Sequence, residues 1–351
     1  MPAGPTRMRR EIGEIPATLE RILEGAGEIE AAAAAVGRHA PRWITIAARG
    51  TSDHAAVYAQ YLIETQLGIP TGLAKPSITT LYGARLEWQG GLLLAISQSG
   101  RSPDIVAVTE AAREGGALTI AITNDDDSPL AATAEWALRC RAGRELAVPA
   151  TKTYVAQLAV VAALVGALRP ASGLLGNLAL LPDLLRTAEN TAEQWLGGAG
   201  EQHLDRMAGA DRALVVSRGY NLATALELAL KLKETSGLFA EPYSSADLAH
   251  GPVILAGPGV PALAIRPDGP IGAEVDQAIE AIEQRGGHPI VVAGSDPLAA
   301  TDALSLELDV PEMLTPLPFA VAGQLLVEAV ARRRGVDPDA PPGLGKVTLT
   351  R

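Results

Sequence analysis

The chain has one cysteine, Cys140, in 351 residues, so neither an intrachain disulfide nor a Cys-x-x-Cys site can form, and a reducing compartment is expected. Aromatic residues make up only 3%, which argues against an aromatic-rich β-sandwich and leaves Ala, Leu, Val and Ile to fill the core. Basic residues are outnumbered, with Lys and Arg at 29 against Asp and Glu at 40 and a formal charge of −11. That balance gives no phosphate-backbone footprint, so no nucleic-acid partner is expected. The longest apolar run, Leu158 to Leu168, is well short of the ~20 residues needed to cross a membrane. No apolar stretch follows the opening MPAGPTRMRR, so no secretory signal is read and a cytoplasmic protein is expected. His39, His54, His203 and His288 lack metal-ligand spacing, and no metal or other cofactor is expected.

What is present is a chain with enough apolar residues, 48%, to build real cores, and long enough at 36.3 kDa to divide into two domains. Glycine, 36 residues, and proline, 25 residues, imply many tight turns. A weak internal repeat supports the division. Arg49-Gly50 follows the run WITIAA, and Arg218-Gly219 follows ALVVS, 169 residues later. The string PLAAT occurs at 129–133 and again at 297–301. Both halves then alternate short β-branched runs with helical segments, the pattern of right-handed βαβ crossovers and parallel sheets. Strands are predicted at 43–48, 91–96, 118–123 and 136–140, then at 213–217, 261–265, 289–293 and 304–308. Helices are predicted at 54–66, 103–114, 222–237 and 273–285. Further helices are expected at 153–168, 175–195 and 317–334, and through the stretch EIGEIPATLERILEGAGEIEAAAAAV, with Pro16 near a start.

Ligands of open α/β sheets bind at the carboxyl ends of strands. Three loops there carry polar groups: Gly50-Thr51-Ser52, Ser97-Gln98-Ser99-Gly100-Arg101-Ser102 ahead of Pro103, and Val148 to Thr153, which includes Ala150 and Lys152. Hydroxyls and amides at a helix start suit a phosphate; any one such loop alone reads first as an ordinary helix cap, and two at neighbouring strand ends weaken that reading. In the second half Glu227, Lys231 and Glu234 share a helix face, as a solvated charged stripe or a partly buried set. His250, before Gly251-Pro252, is a candidate acid/base. Lys346, near the end, reads on position alone as a solvated charge.

Six motifs in order, RGTS at 49–52, SQSGRSPD at 97–104, VPATKTYVAQ at 148–157, ALELALKLKETS at 225–236, DLAHGP at 247–252 and LGKVT at 344–348, resemble the sugar isomerase (SIS) superfamily. Within it the chain is similar to the isomerase half of glutamine:fructose-6-phosphate amidotransferases, and more so to stand-alone glucosamine-6-phosphate deaminases. The resemblance implies two tandem αβα SIS domains, each a doubly wound parallel sheet. The expected boundaries are an N-terminal helical segment 1–34, a first domain 35–170, a helical linker 171–200, a second domain 201–335 and a tail or lid 336–351. It implies a small sugar phosphate as ligand, held by Gly50, Thr51, Ser52, Ser97, Gln98, Ser99 and Ser102, with Val148, Ala150, Lys152, Glu227 and Lys231 completing the substrate site. Proton transfer between sugar C1 and C2 falls to Glu234, ring opening to His250 from the neighbouring subunit of a homodimer with shared active sites, and imine chemistry to Lys346. The expected reaction is glucosamine 6-phosphate plus water to fructose 6-phosphate plus ammonia; a fructosamine-6-phosphate deglycase and a non-catalytic sugar-phosphate sensor are the alternatives.

The chain departs from the synthase pattern in places. Residue 2 is Pro and the one cysteine is Cys140, where the synthase's glutaminase domain supplies a Cys nucleophile, so glutamine-dependent amination by this chain alone is set aside. Ala150 stands for a sugar-contacting Ser, Lys346 runs directly into Val347-Thr348, and Arg101 replaces a Glu, adding charge near the phosphate or pointing to solvent.

Overall fold

The structure, a computed structural model, describes residues 4–295 and 303–346. It separates into two compact units. The N-terminal sheet unit comprises Ile15–Glu145 and Lys152–Pro182; the C-terminal sheet unit comprises the leading residues to Glu14, Leu146–Thr151 and Asp183–Lys346.

Three helices open the chain, α1 (Arg7–Gly13), α2 (Ile15–Glu24) and α3 (Ala26–His39). The single helix expected over this stretch is therefore broken twice: Glu14 ends α1, Pro16 sits in the first turn of α2 where its missing N–H costs nothing, and Gly25 precedes α3. The N-terminal sheet unit continues with β1 (Ile44–Ala47), α4 (Thr51–Leu67), β2 (Thr71–Leu73), α5 (Ser77–Thr80), β3 (Leu92–Ile96), α6 (Pro103–Glu114), β4 (Leu118–Thr123), α7 (Pro129–Thr133), β5 (Trp136–Arg139), α8 (Lys152–Leu168) and α9 (Leu174–Leu178). Its strands are all parallel, in the order β2-β1-β3-β4-β5. Leu93, Ala95, Ile105, Val108, Ala112 and Leu130 form one core between this sheet and α6 and α7. The longest apolar run of the sequence, Leu158 to Leu168, forms the C-terminal part of α8, which is buried from Lys152 to Gly166.

The C-terminal sheet unit adds α10 (Leu181–Leu196), α11 (Glu201–Gly209), β6 (Arg212–Ser217), α12 (Leu222–Ser236), β7 (Phe239–Ser244), α13 (Ser245–Ala249), β8 (Pro261–Arg266), α14 (Gly269–Glu283), β9 (His288–Ala293), β10 (Leu304–Ser305) and α15 (Pro316–Arg333). Its order, β10-β9-β8-β6-β7, again all parallel, repeats that of the first sheet read from the other edge. The duplication read from 49–50 and 218–219 is thus a duplication of topology; the second PLAAT lies outside the described residues.

Three further expectations need correction. The helix expected at 175–195 is two, because α9 ends at Leu178 and Pro182 falls in the first turn of α10. The strand expected at 304–308 ends at Ser305, since Glu307 takes a left-handed φ of 50° that no strand accommodates. Each sheet has five strands rather than the four expected: β2 and β7 are edge strands, one only three residues long and the other, FAEPYS, carrying Pro242 and Glu241. An edge tolerates Pro because its N–H has no obligatory partner.

In the C-terminal sheet unit α12 lies against α15, and the contact depends on Gly323. A Cβ there would stand 2.3 Å from Leu228 Cδ1 and 2.7 Å from Cδ2, with Leu228 fully buried. Gly323→Ala is therefore expected to force α12 and α15 apart and to destabilise the unit by about 1–3 kcal/mol, despite Ala's better helix propensity. Chemical denaturation of the two proteins measures this, and an unchanged or raised midpoint would show that Leu228 repacks without cost.

Candidate functional site

In the N-terminal sheet unit β1 lies inside the sheet and pairs with β2 on one side and β3 on the other. The chain leaves β1 and β3 in opposite directions, so their carboxyl ends border a crevice, the usual ligand position of an open α/β sheet. The Gly50–Ser52 and Ser97–Ser102 loops stand at those two ends. Gly50 has φ 55° and ψ −133°, accessible in practice to glycine alone, and turns the chain into α4. Ser52 is buried, and its Oγ accepts from Gln157 Nε2 on α8 at 3.0 Å. Arg49 Nε reaches across to Asp104 Oδ2 at 2.8 Å, while Asp104 Oδ1 accepts the Ile105 amide at 2.9 Å.

The second loop is folded by its own hydroxyls. Ser97 Oγ accepts from the Gly100 amide at 3.1 Å, and Ser99 Oγ from the Arg101 amide at 3.3 Å. Gly100, at φ 59°, admits no side chain, because a Cβ would lie 2.2 Å from Ser128 Oγ. Ser102 holds the N-cap position of α6 without a side-chain capping bond. Each of these oxygens accepts or is idle within the loop and keeps a proton to donate, so the loop offers donors at the start of a twelve-residue helix. Such an arrangement is chemically suited to an oxyanion. Gln98 is half-buried, with its carbonyl taking the Asn124 amide at 3.0 Å. Arg101 pairs with Asp125, Nη2 to Oδ2 at 2.8 Å. Lys152 is buried and donates to the Arg144 carbonyl at 2.8 Å, and the buried Glu145 carboxylate caps α8 by accepting from Thr153 N at 3.1 Å and Thr153 Oγ1 at 2.8 Å.

In the C-terminal sheet unit α12 brings Glu227, Lys231 and Glu234 together. The stripe is not solvated: Glu227 and Lys231 are fully buried, and only Glu234, 27% exposed, reaches the surface. Lys231 Nζ stands 3.4 Å from Glu227 Oε1 and 2.6 Å from Glu234 Oε2. Burial alone would lower the lysine pKa, but the two carboxylates outweigh it and hold the ammonium above its ordinary value. His250 C-caps α13, its amide donating to the carbonyls of Ala246 and Asp247. Its side chain is exposed and makes no hydrogen bond or ion pair among the described residues. Val148 N donates to the Asp339 carbonyl at 3.1 Å, Ala150 is half-buried, and Lys346 is half-buried. Val347 and Thr348 lie outside the described residues.

Gln157, Arg49 and Asp104 escaped the sequence reading as site residues; Gln157 left a trace, an amide directly ahead of the apolar run from Leu158. Cys140 is buried, and burial first, then the neighbouring Glu145 charge, pushes its thiol far up, so it is core and no nucleophile. Among the described residues no cluster of three or more His, Cys, Asp or Glu could hold a metal ion, and no helix is long and apolar enough to cross a membrane.

Replacing Lys231 strands Glu227 in the interior. Lys231→Met is expected to cost about 3–5 kcal/mol near neutral pH. A raised lysine pKa stabilises fully below the unfolded value of 10.5 and is lost as pH rises through the folded value. Wild type should therefore lose stability above pH 10.5 more steeply than the variant; parallel pH–stability curves would contradict the buried ion set.

Comparison with known proteins agrees with this architecture. The SIS domain model matches residues 39–167 and 206–322. The chain is 35% identical over 343 residues to the glutamine–fructose-6-phosphate aminotransferase (isomerizing) of Methanothermobacter thermautotrophicus, covering 97% of this chain and 56% of that protein. A similar enzyme of Symbiobacterium thermophilum is 33% identical over 97% of this chain and 58% of its own, so the chain spans little more than half the length of these curated relatives. Among solved structures, a Silicibacter pomeroyi protein crystallised as a candidate phosphosugar isomerase superposes with a TM-score of 0.86 at 37% identity, over 95% of this chain and all of that one. The glucosamine-6-phosphate deaminase of Thermotoga maritima shares the fold, with a TM-score of 0.75 at 20% identity over 98% of this chain and 100% of its own. With two parallel sheets of one topology, each matched by the same domain model over most of its length, the chain belongs to the SIS domain family.

Proposed function

We propose that the chain converts glucosamine 6-phosphate and water to fructose 6-phosphate and ammonia. The donors of Gly50, Thr51, Ser52, Ser97, Gln98, Ser99 and Ser102 take the phosphate, and His250 passes the proton that opens the ring. Glu234 then takes the proton from C2 of the open aldehyde and returns it to C1. With the aldehyde oxygen gaining a proton as the amine nitrogen gives one up, this shift leaves an alcohol at C1 and an imine at C2, and water adds at C2 to release ammonia and leave the ketose. Phosphate binding at a remote group is used for orientation at C1 and C2.

The observation that carries the reading is the 2.6 Å bond from the buried Lys231 ammonium to Glu234 Oε2. It fixes one oxygen of a carboxylate that still meets solvent, as a positioned proton carrier requires. Glu227, on the other side of Lys231, sets the ammonium in turn. Val148, Ala150 and Lys152 complete the substrate loop, and Lys346 is assigned to the carbonyl end of the sugar.

His250 is proposed to serve a second copy of the chain in a homodimer. It is exposed, and the turn that follows exposes Ile254 by 82% and Leu255 by 41%, large apolar side chains that a partner would cover.

Glu234→Gln is expected to lower ammonia release by about 10²–10⁴-fold while fructose 6-phosphate binding, followed by calorimetry, stays near the wild-type value; lost binding with normal turnover would refute the role. The same assay with fructosamine 6-phosphates in place of glucosamine 6-phosphate distinguishes the deglycase: faster turnover of those substrates would replace the deaminase reading. Ile254→Glu is expected to shift the protein toward monomer in light scattering and to reduce turnover in step. An active monomer would remove the shared His250.

A further inference from the structure

The C-terminal sheet unit contains a cavity apart from the loops described above. Between α13 and α14, beside the end of β6, lies a cavity of about 230 Å³. At ~30 Å³ per water in the liquid, it has room for several waters or for a small organic molecule. Ser245 lines it and is only 4% exposed, yet its hydroxyl oxygen has no hydrogen-bond partner among the described residues. The helix does not need that hydroxyl: the neighbouring Ser244 caps α13, accepting the Asp247 amide at 3.1 Å and donating to Asp247 Oδ2 at 2.8 Å. A buried polar group left idle in this way costs stability and calls for an explanation. On the wall, Arg218 Nη1 and Glu274 Oε2 stand 3.0 Å apart, and both are part-exposed. Gln277 lies one turn from Glu274 along α14. The remaining surface is aliphatic, including Leu248, Val253 and Ala278.

We infer that this cavity binds a small aliphatic α-amino acid, its carboxylate on Arg218 and Ser245, its ammonium on Glu274, and its side chain against Leu248, Val253 and Ala278. The charges decide the class. An anion attracted by Arg218 meets Glu274 a bond length of hydrogen bonding away, and a cation attracted by Glu274 meets Arg218; a zwitterion satisfies both. A neutral apolar molecule leaves Ser245 idle, and a polyol sets hydroxyls against aliphatic walls. One consequence rests on the proton role proposed for His250. The cavity is lined by Ala246 and Ala249, and the Ala246 carbonyl accepts the His250 amide at 3.2 Å, so occupancy steadies the turn that presents the imidazole.

The test is isothermal calorimetry of the full chain with L-alanine, L-valine and L-leucine, against acetate, inorganic phosphate and methylammonium. Saturable binding of an amino acid at or below about 1 mM is expected, weakened about tenfold or more by Ser245→Ala and by Glu274→Gln, and abolished by Ala278→Leu, which fills the cavity. Absence of saturable heat for all three amino acids, unchanged binding in Ala278→Leu, or binding of acetate or phosphate as tight as that of the amino acid would each overturn the proposal. Glu274 is on the surface of α14, so Glu274→Gln decides the matter alone should Ala278→Leu fail to fold. Histidine resonances separate the two readings: amino-acid binding that moves the His250 signal without changing ammonia release supports the cavity and counts against His250 as the ring-opening group.

Discussion

A parallel strand can be entered only by a crossover from the far end of its neighbour, and this constraint governs where the chain places its chemistry. In both sheets the first strand in sequence lies inside, with the second on one flank and the third on the other. The connections after the first and third strands must diverge, and the gap between them needs no side chain to create it. The N-terminal sheet unit lines that gap with hydroxyls and with glycines whose backbones no other residue could match. The C-terminal copy treats the same position differently. After β8 comes Pro267-Asp268, and the Asp268 carboxylate accepts the Ser295 amide through both oxygens at 2.8 Å. Glu312, whose carboxyl is raised by burial, stands beside Gly219 at the end of β6. The C-terminal copy therefore sets carboxylates paired with Arg218 and Arg266 where the N-terminal copy sets hydroxyl donors.

The charges kept inside the C-terminal sheet unit are costly. Burying an ammonium with a carboxylate gives little net stability, since desolvation offsets most of the attraction. Glu227 and Lys231 are nonetheless wholly buried on a helix whose other faces are packed, α15 on one side and β6 and β7 on others. An apolar pair would hold α12 at least as well. What it could not do is fix the azimuth of Glu234, one turn further along at the rim, to within the reach of a hydrogen bond. The close approach of α15 at Gly323 sets the helix; the ammonium sets the side chain.

The parts of this design that could be read from the sequence are those whose signal is local. Ile44–Ala47, Leu92–Ile96 and Leu118–Thr123 are apolar runs bounded by turns, and Pro103 marks the start of α6 to the residue. The i, i+4, i+7 spacing of Glu227, Lys231 and Glu234 places them on one face. Spacing says nothing about what covers that face, and the burial of Lys231 comes from elements packed on α12 that lie elsewhere in the sequence. Ser52 and Gln157 are 105 positions apart, Arg49 and Asp104 are 55 apart, and each pair meets only through tertiary packing, the first by α4 lying on α8. The missed strands fail for the opposite reason: β2 and β7 are stabilised by their neighbours' hydrogen bonds rather than by any apolar pattern of their own.

The C-terminal segment shows how a residue that looks terminal can be held. Asp339 accepts the amides of Arg7 and Met8 through Oδ2 and Oδ1 at 2.7 and 2.8 Å, at the otherwise unsatisfied start of α1, and its carbonyl takes the amide of Val148 at 3.1 Å. Glu11, one turn further along α1, accepts from the amides of Leu146 and Ala147. The loop 146–148 is therefore clamped between α1 and Asp339. From that anchor to Lys346 there are seven residues, which fully extended span at most roughly 25 Å, and Pro341 and Pro342 stiffen the path. Lys346, at the end of that path, is half-buried. Position in the sequence alone reads Lys346 as a solvated charge; the structure half-buries it, a short distance along the chain from the Asp339 anchor.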